Sequence, residues 1–168
     1  MKSSDKFQIG IVVGIILLVV VAFTPTLNRE EPDYMAEDTA DGVAFNYLLA
    51  ILKEEYERAY GYLSPGLLRY PANVETFASD IGDQPWSFSS IGNVTLVVRA
   101  AAVTGNSATV KVYETTSYYT GLSLGQTVSK QANLAFEMIL ELMDGVWKIT
   151  DSDYHFASCW AHTYTYCR

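Results

Sequence analysis

The residues Gln131–Asp151, QANLAFEMILELMDGVWKITD, decide the fold class of this chain. Their first half alternates apolar and polar side chains, which is the period of a strand with one buried face. Asp144–Gly145 is a typical two-residue hairpin turn. Beyond the turn, Trp147 and Ile149 share one face of a returning strand. The stretch therefore predicts an antiparallel hairpin.

The same period of two extends upstream of this hairpin. Val94–Ala102 and Ala108–Thr116 alternate in the same way, and Gly105–Asn106 predicts the turn between them. The connection Tyr118–Lys130 contains two glycines and is predicted to be a long loop with a candidate functional role. The second half of the chain thus predicts about four antiparallel strands.

A helical period occupies the part of the chain before the strands. Apolar residues spaced by three and four predict one helix that begins near Asp38 or Thr39 and ends before Ser64. A shorter helix is predicted from Asn73, its N-cap, to Ile81. Two helices followed by four strands predict an α+β domain in which a curved antiparallel sheet packs on the two helices.

The N-terminus carries the longest apolar run. Phe7–Phe23 has no charge, and with the residues to Leu27 it reaches about the 17–20 residues that cross a hydrocarbon core. Basic residues precede the run and acidic residues follow it, which predicts a cytoplasmic N-terminus and an extracytoplasmic C-terminal domain. A cleaved signal peptide is the alternative. Gly10 and Gly14 form a step that allows two membrane helices to pair.

These features divide the chain into five predicted segments and place it in the cell membrane as a single-pass protein. The segments are a cytoplasmic tip (1–6), a transmembrane anchor (7–27), a linker (28–37), the α+β domain (38–157) and a C-terminal extension (158–168).

Two segments and the order of elements carry a resemblance. The long helix ends in AYGYLSP, Ala59–Pro65, and the last hairpin reads MDGVWKITD, Met143–Asp151. In these the chain resembles the nuclear-transport-factor-2-like superfamily, which has a cone-shaped, cystatin-like fold, and its layout is similar to membrane-anchored bacterial members. The resemblance covers about residues 39–156 and implies a sheet wrapped around the first helix, with a pocket at the open end of the cone. This scaffold hosts enzymes, binding modules and dimerisation domains.

The charge of the exported part excludes one class of partner. From Leu27 onward the chain has 9 basic and 18 acidic side chains, a net charge of −9. A domain this acidic does not attract nucleic acid. About 130 residues form one ordinary domain with a single core.

The only cysteines, Cys159 and Cys167, lie near the C-terminus. In a chain that leaves the cytoplasm, such a pair predicts a disulfide that closes a short loop. Free thiols are the alternative. A metal site formed with His155 and His162 fits no common zinc spacing.

The sequence contains no nucleophile–base pattern, phosphate loop, nucleotide fingerprint or metal motif, so it predicts no catalytic residue and no cofactor. Asp151 and Asp153 could form a carboxylate pair or simply a solvated strand end. The leading hypothesis is a membrane-anchored, non-enzymatic interaction module, an accessory or assembly subunit that binds another protein or a second copy. A carrier of a small apolar ligand in the cone is the alternative, and an isomerase- or dehydratase-type enzyme is the third.

Aromatic side chains are enriched at interfaces and in pockets, so aromatic residues are the candidates for a pocket or an interface. They are Tyr56, Tyr60, Trp86, Tyr113, Tyr118, Tyr119 and Trp147, of which Tyr113, Tyr118 and Tyr119 are expected on the outer face of the sheet.

Overall fold

The computed structural model describes residues 32–88, 93–122 and 126–163, and the compact unit that they form begins at Tyr34. Five helices and four strands occur in these residues. In chain order they are α1 (Ala40–Leu52), α2 (Tyr56–Tyr62), α3 (Val74–Asp83), α4 (Pro85–Phe88), β1 (Asn93–Thr104), β2 (Ser107–Leu122), β3 (Gln126–Met143), β4 (Val146–Ser152) and α5 (Ser158–Ala161).

The helix predicted to run unbroken to Leu63 is two helices. Thr39 caps the first as predicted, since its hydroxyl accepts a hydrogen bond from the N–H of Gly42 at 3.2 Å. The break lies at Glu54, which has a φ of 58°. There the N–H groups of Glu54 and Glu55 donate to the carbonyls of Ile51 and Ala50, which closes a Schellman motif. No sequence signal marks this end of α1, because the left-handed position after the helix is occupied by Glu54 and is usually a glycine.

The strands form one antiparallel sheet in the order β1-β2-β3-β4. Asp144 and Gly145 have φ values of 50° and 82°, which confirms the predicted hairpin turn. The loop predicted for Tyr118–Lys130 is wrong. β2 continues to Leu122 and β3 starts at Gln126, because the β-branched and tyrosine residues beside the two glycines continue the ladder.

The core lies between the concave face of the sheet and α1. Alternate residues of β2 and β3, such as Val112 and Met138, point inward and are fully buried. Tyr47 and Leu48 of α1 pack against them and are also buried. The α+β part of the predicted fold class, an antiparallel sheet packed on helices, is therefore confirmed.

The predicted transmembrane helix needs correction. No helix within residues 32–88, 93–122 and 126–163 is long and apolar enough to cross a membrane. The longest, α1, has 13 residues, whereas a span needs about 20. Residues 7–27, with Gly10 and Gly14, lie outside the described residues. The single-pass anchor, the cell-membrane localisation and the fold class that included the span are therefore not supported.

The segment after the sheet completes the core. Trp160 of α5 is fully buried and stacks on Phe77 of α3, with 5.2 Å between ring centroids. Its indole N–H donates to the Asp80 carboxylate at 2.7 Å. The sequence analysis does not predict this contact of Trp160, because it assigns residues 158–168 to an extension outside the domain.

Cys159 is also fully buried. Gln84 Nε2 donates to its sulfur at 3.7 Å, and Cys159 is disulfide-bonded. The predicted partner, Cys167, lies outside the described residues, so the pairing of these two cysteines stays a prediction.

Replacing Trp160 tests whether α5 belongs to the core. Trp160→Ala removes a stacked, fully buried indole and should lower the free energy of unfolding by about 3–5 kcal/mol in urea titrations. Trp86→Ala is the matched control, because Trp86 is 67% exposed and its loss should change stability by less than about 0.5 kcal/mol. Equal effects of the two changes would contradict the placement of Trp160.

Asp80 provides a test by pH. Burial, opposed by the Trp160 hydrogen bond, raises the pKa of the Asp80 carboxyl above its usual range. A raised folded-state pKa gives stability at pH values below the unfolded pKa, and this stability is lost as pH rises through the folded pKa. Asp80→Asn keeps an acceptor for the indole but removes the charge. Between pH 3 and pH 7, the free energy of unfolding of the variant should rise relative to that of wild type. Parallel plots of this free energy against pH for the two proteins would contradict the prediction.

Candidate functional site

Burial along the concave face of β2 changes at Glu114. Val110 and Val112 are fully buried beneath α1 and Glu114 is 5% exposed, whereas Thr116 and Tyr118 are half-buried. Leu96 of β1 and Leu134 of β3 flank Glu114 in register and are half-buried as well. We call Leu96, Thr116, Tyr118 and Leu134 the concave mouth. Beyond this point α1 no longer covers the concave face of the sheet, and the apolar residues of that face are partly exposed.

A buried acid–imidazole pair forms the floor of the concave mouth. Glu114 Oε2 lies 2.7 Å from His155 Nε2, and both side chains are 5% exposed. Thr116 Oγ1 donates to the other carboxylate oxygen, Oε1, at 3.2 Å. With Nε2–H as the donor, the carboxylate accepts on both oxygens and is ionised. In this tautomer, Glu114 places a negative charge at the floor of a largely apolar surface.

The backbone holds His155 in position. Its φ of 55° is left-handed, an uncommon conformation for a residue with a side chain. Its N–H donates to the Ser87 carbonyl at 2.8 Å, and its carbonyl accepts from the Tyr47 hydroxyl at 2.6 Å. Burial raises the pKa of the Tyr47 phenol, so the hydroxyl stays a donor. The imidazole ring then packs beside Phe88 and Phe136, with centroid distances of 6.5 and 5.7 Å.

The second imidazole nitrogen of His155 makes no hydrogen bond to the described residues. This atom, Nδ1, is buried. When Nε2–H donates to the Glu114 carboxylate, Nδ1 of the neutral ring carries a lone pair. A carboxylate that orients an imidazole in this way prepares the other nitrogen to accept a hydrogen bond or a proton.

The predicted aromatic residues do not all gather at this site. Tyr118 belongs to the concave mouth, whereas Tyr113 is exposed on the convex face, because residues at odd and even positions of β2 point to opposite faces. Tyr119 lies in β2, and its side chain is outside the description. Trp86 is exposed on α4, and Trp147 is buried in the core.

Tyr56 and Tyr60 belong to a different cluster. Their rings lie 6.3 and 5.8 Å from the ring of Phe77. The Tyr60 hydroxyl donates to the carbonyl of Pro71 at 2.9 Å. These contacts place both tyrosines in the aromatic packing around α3.

The two carboxylates at the end of β4 have separate partners. Asp151 Oδ2 lies 3.5 Å from His162 Nε2, and Asp153 Oδ2 accepts from the Glu137 N–H at 3.2 Å. Within the described residues, no three His, Cys, Asp or Glu side chains are grouped so that they could hold a metal ion.

Sequence reasoning missed the Glu114–His155 pair because 41 residues separate its members. One signal was present. Ala108, Val110 and Val112 lead in steps of two to Glu114, so a charge occupies an inward position of a strand. A charge at such a position needs a buried partner.

No protein-family model matches the chain, and no curated protein matches it. It is similar to an NTF-2 like protein of unknown function from Shewanella oneidensis (11% identity, 66% of this chain, 90% of that chain, TM-score 0.42). It is also similar to a SEC-C motif containing protein from Rhodopseudomonas palustris (10%, 73%, 83%, 0.46) and to a candidate hydroxylase from Streptomyces galilaeus (11%, 70%, 77%, 0.41). The first is named for the fold that the sequence resembles, and nothing among them bears on a membrane-anchored type.

Removing the carboxylate tests the buried pair. Glu114→Leu leaves Nε2 of His155 unpaired in the core and should lower the free energy of unfolding by about 2–4 kcal/mol. Glu114→Gln keeps an acceptor and should cost less than half of that.

Glu137→Leu is the matched control, since Glu137 is exposed on the neighbouring strand in an ion pair with Lys111, and its loss should cost less than about 1 kcal/mol. A Glu114→Leu protein as stable as wild type in urea would show that the pair contributes no hydrogen bond in solution.

Proposed function

We propose that this domain binds a small, neutral, mainly apolar molecule in the concave mouth, with the Glu114–His155 pair beneath it. One observation carries the proposal: the His155 ring contacts Glu114 at the edge of the concave mouth, and its Nδ1 is buried without a hydrogen-bond partner among the described residues. A site of this kind combines apolar walls with a single polar group that orients the ligand.

The walls favour an apolar ligand. Leu96 and Leu134 are half-buried on the concave side, next to inward residues that are fully buried. A ligand that covered them would gain about 25 cal/mol for each Å² of apolar area removed from water.

The floor favours a ligand with one hydrogen-bond donor. A buried polar atom without a partner costs about 1–3 kcal/mol, and a ligand hydroxyl or N–H that bonded Nδ1 would recover part of that cost. The carboxylate of Glu114 and a net charge of −8 repel anions. A neutral alcohol, phenol or amide therefore fits better than a fatty acid.

The proposal is one of binding rather than catalysis. Both carboxylate oxygens of Glu114 are hydrogen-bonded, one to Thr116 and one to His155. Nδ1 of His155 is therefore the atom of this pair that we propose for a hydrogen bond with a ligand. A single acceptor fixes the orientation of a bound molecule. Catalysis of proton transfer usually needs a second group that stabilises the developing charge.

Binding of Nile red, a neutral apolar dye, tests the proposal. Wild type should bind the dye with a rise in its fluorescence, and Leu134→Asp should weaken binding at least about tenfold, because it puts a charge on the apolar wall. Ala135→Asp is the matched control: Ala135 is the next residue of β3 and is exposed on the opposite face.

The urea midpoint of each variant must show that it is folded at the assay temperature. Thr116→Trp offers a second route, since it fills the concave mouth instead of charging it. Failure of wild type to bind the dye, or equal loss in the Ala135→Asp control, would contradict the proposal.

An interaction module is the second candidate, and a different observation favours it. Val97 and Tyr113 are 47% and 42% exposed on the convex face. Val97 pairs with Tyr113, which in turn pairs with Ala135. Arg99 lies over the Tyr113 ring at 5.5 Å. Exposed tyrosine and arginine beside apolar residues are typical of surfaces that bind another protein or a second copy.

A further inference from the structure

The two edges of the sheet differ in their protection. At the β4 edge, Leu63 bridges to Ile149, and the N–H of Ser64 donates to the Ile149 carbonyl at 2.8 Å. The Lys148 ammonium on β4 donates to the Gly61 carbonyl at 2.6 Å. This edge is short, charged and covered by the chain that follows α2, which are the usual means of preventing further strand pairing.

The β1 edge is longer than the β4 edge, carries less charge and is not paired on its outer side within the described residues. β1 is 12 residues long, NVTLVVRAAAVT, with one charge, Arg99, and neither proline nor lysine. Within residues 32–88, 93–122 and 126–163, β1 pairs with β2 and with no strand on its other side. A long, β-branched edge strand with so little charge is a template for another strand.

We propose that β1 pairs antiparallel with β1 of a second copy, so that two four-stranded sheets form one continuous sheet. The proposal does not depend on ligand binding, and it uses the edge of the sheet instead of the convex face on which the second candidate function rests. A homodimer in which one strand pairs with itself has a two-fold axis, so each residue of β1 meets a residue of the same strand.

The register of the pairing follows from the irregularity in β1. The ladder with β2 shifts between Arg99 and Ala102, so the regular part of the edge ends at Arg99. A two-fold axis at Val97 places Val97 against Val97 and Arg99 against Thr95. Apolar residues then meet at the centre, and each arginine faces a threonine instead of a like charge.

Charge also favours this edge for a second copy. The protein has a net charge of −8, so two copies repel each other over most of their surfaces. β1 contains no acidic residue, whereas the exposed face of β3 carries Glu137 and Glu141. Two copies that approach through β1 therefore keep their negative charges apart.

Sedimentation equilibrium of the full chain tests the pairing. Wild type should be a concentration-dependent dimer, and Val97→Lys should raise the dimer dissociation constant at least about tenfold, since two ammonium groups would face each other across the axis. Val103→Lys is the matched control: Val103 is exposed on the same strand but beyond the shift in register, and this variant should dimerise like wild type.

Tyr113→Lys separates edge pairing from packing through the convex face. Tyr113 lies one strand inward from the edge, so an edge-paired dimer keeps its affinity in this variant, whereas a face-packed dimer loses it. A dimer lost in Tyr113→Lys would overturn the pairing and support the convex-face candidate. A dimer retained in Val97→Lys would overturn the pairing, and so would a wild-type monomer.

Hydrogen exchange provides a measurement without substitution. Amides of residues 93–99 that face away from β2 should exchange slowly in the dimer and rapidly after dilution to monomer. Equal exchange at both concentrations would contradict the pairing. Nile red binding, measured on the same samples, reports on the ligand proposal independently.

Discussion

The hydrogen bond from the Tyr47 hydroxyl to the His155 carbonyl, 2.6 Å long and buried, is the constraint on which the site depends. It joins α1 to the chain that leaves β4 and so fixes the distance between the helix and the end of the sheet. Because the carbonyl is held, His155 keeps its left-handed backbone and its ring is directed at Glu114. Loss of this hydrogen bond would allow the His155 ring to move and would loosen the packing of α1 against the end of the sheet.

Burial of the Glu114–His155 pair has a cost in desolvation free energy, so the position of the pair points to a role other than stability. Two well-packed apolar residues would be as stable or more so, because the desolvation of the buried polar groups offsets their hydrogen bond. Here the pair sits where fully buried residues such as Val112 give way to half-buried ones such as Thr116. A polar pair at that boundary contributes little to stability that leucine could not supply. Under the proposed function, its use is the polar contact that it offers to a ligand on the concave face.

Local sequence signals predicted the elements, and distant contacts decided the site. The hairpin turn at Asp144–Gly145 and the cap at Thr39 follow from backbone chemistry within a few residues. The helix end at Glu54 used a residue that seldom adopts a left-handed backbone, so no local signal marked it. The partners of Glu114 and Trp160 lie 41 and 80 residues away in sequence, and only the tertiary fold brings them together.

One strand connects the two proposals. β1 contributes Leu96 to the concave mouth and Val97 to the opposite face at the edge, because successive side chains of a strand alternate. A two-fold axis normal to the sheet keeps both concave faces on one side, so edge pairing would place two mouths next to each other with β1 as their common wall. A strand that is paired on both edges loses less freedom when a ligand covers it. Association and ligand binding would then favour each other without direct contact between the two ligands.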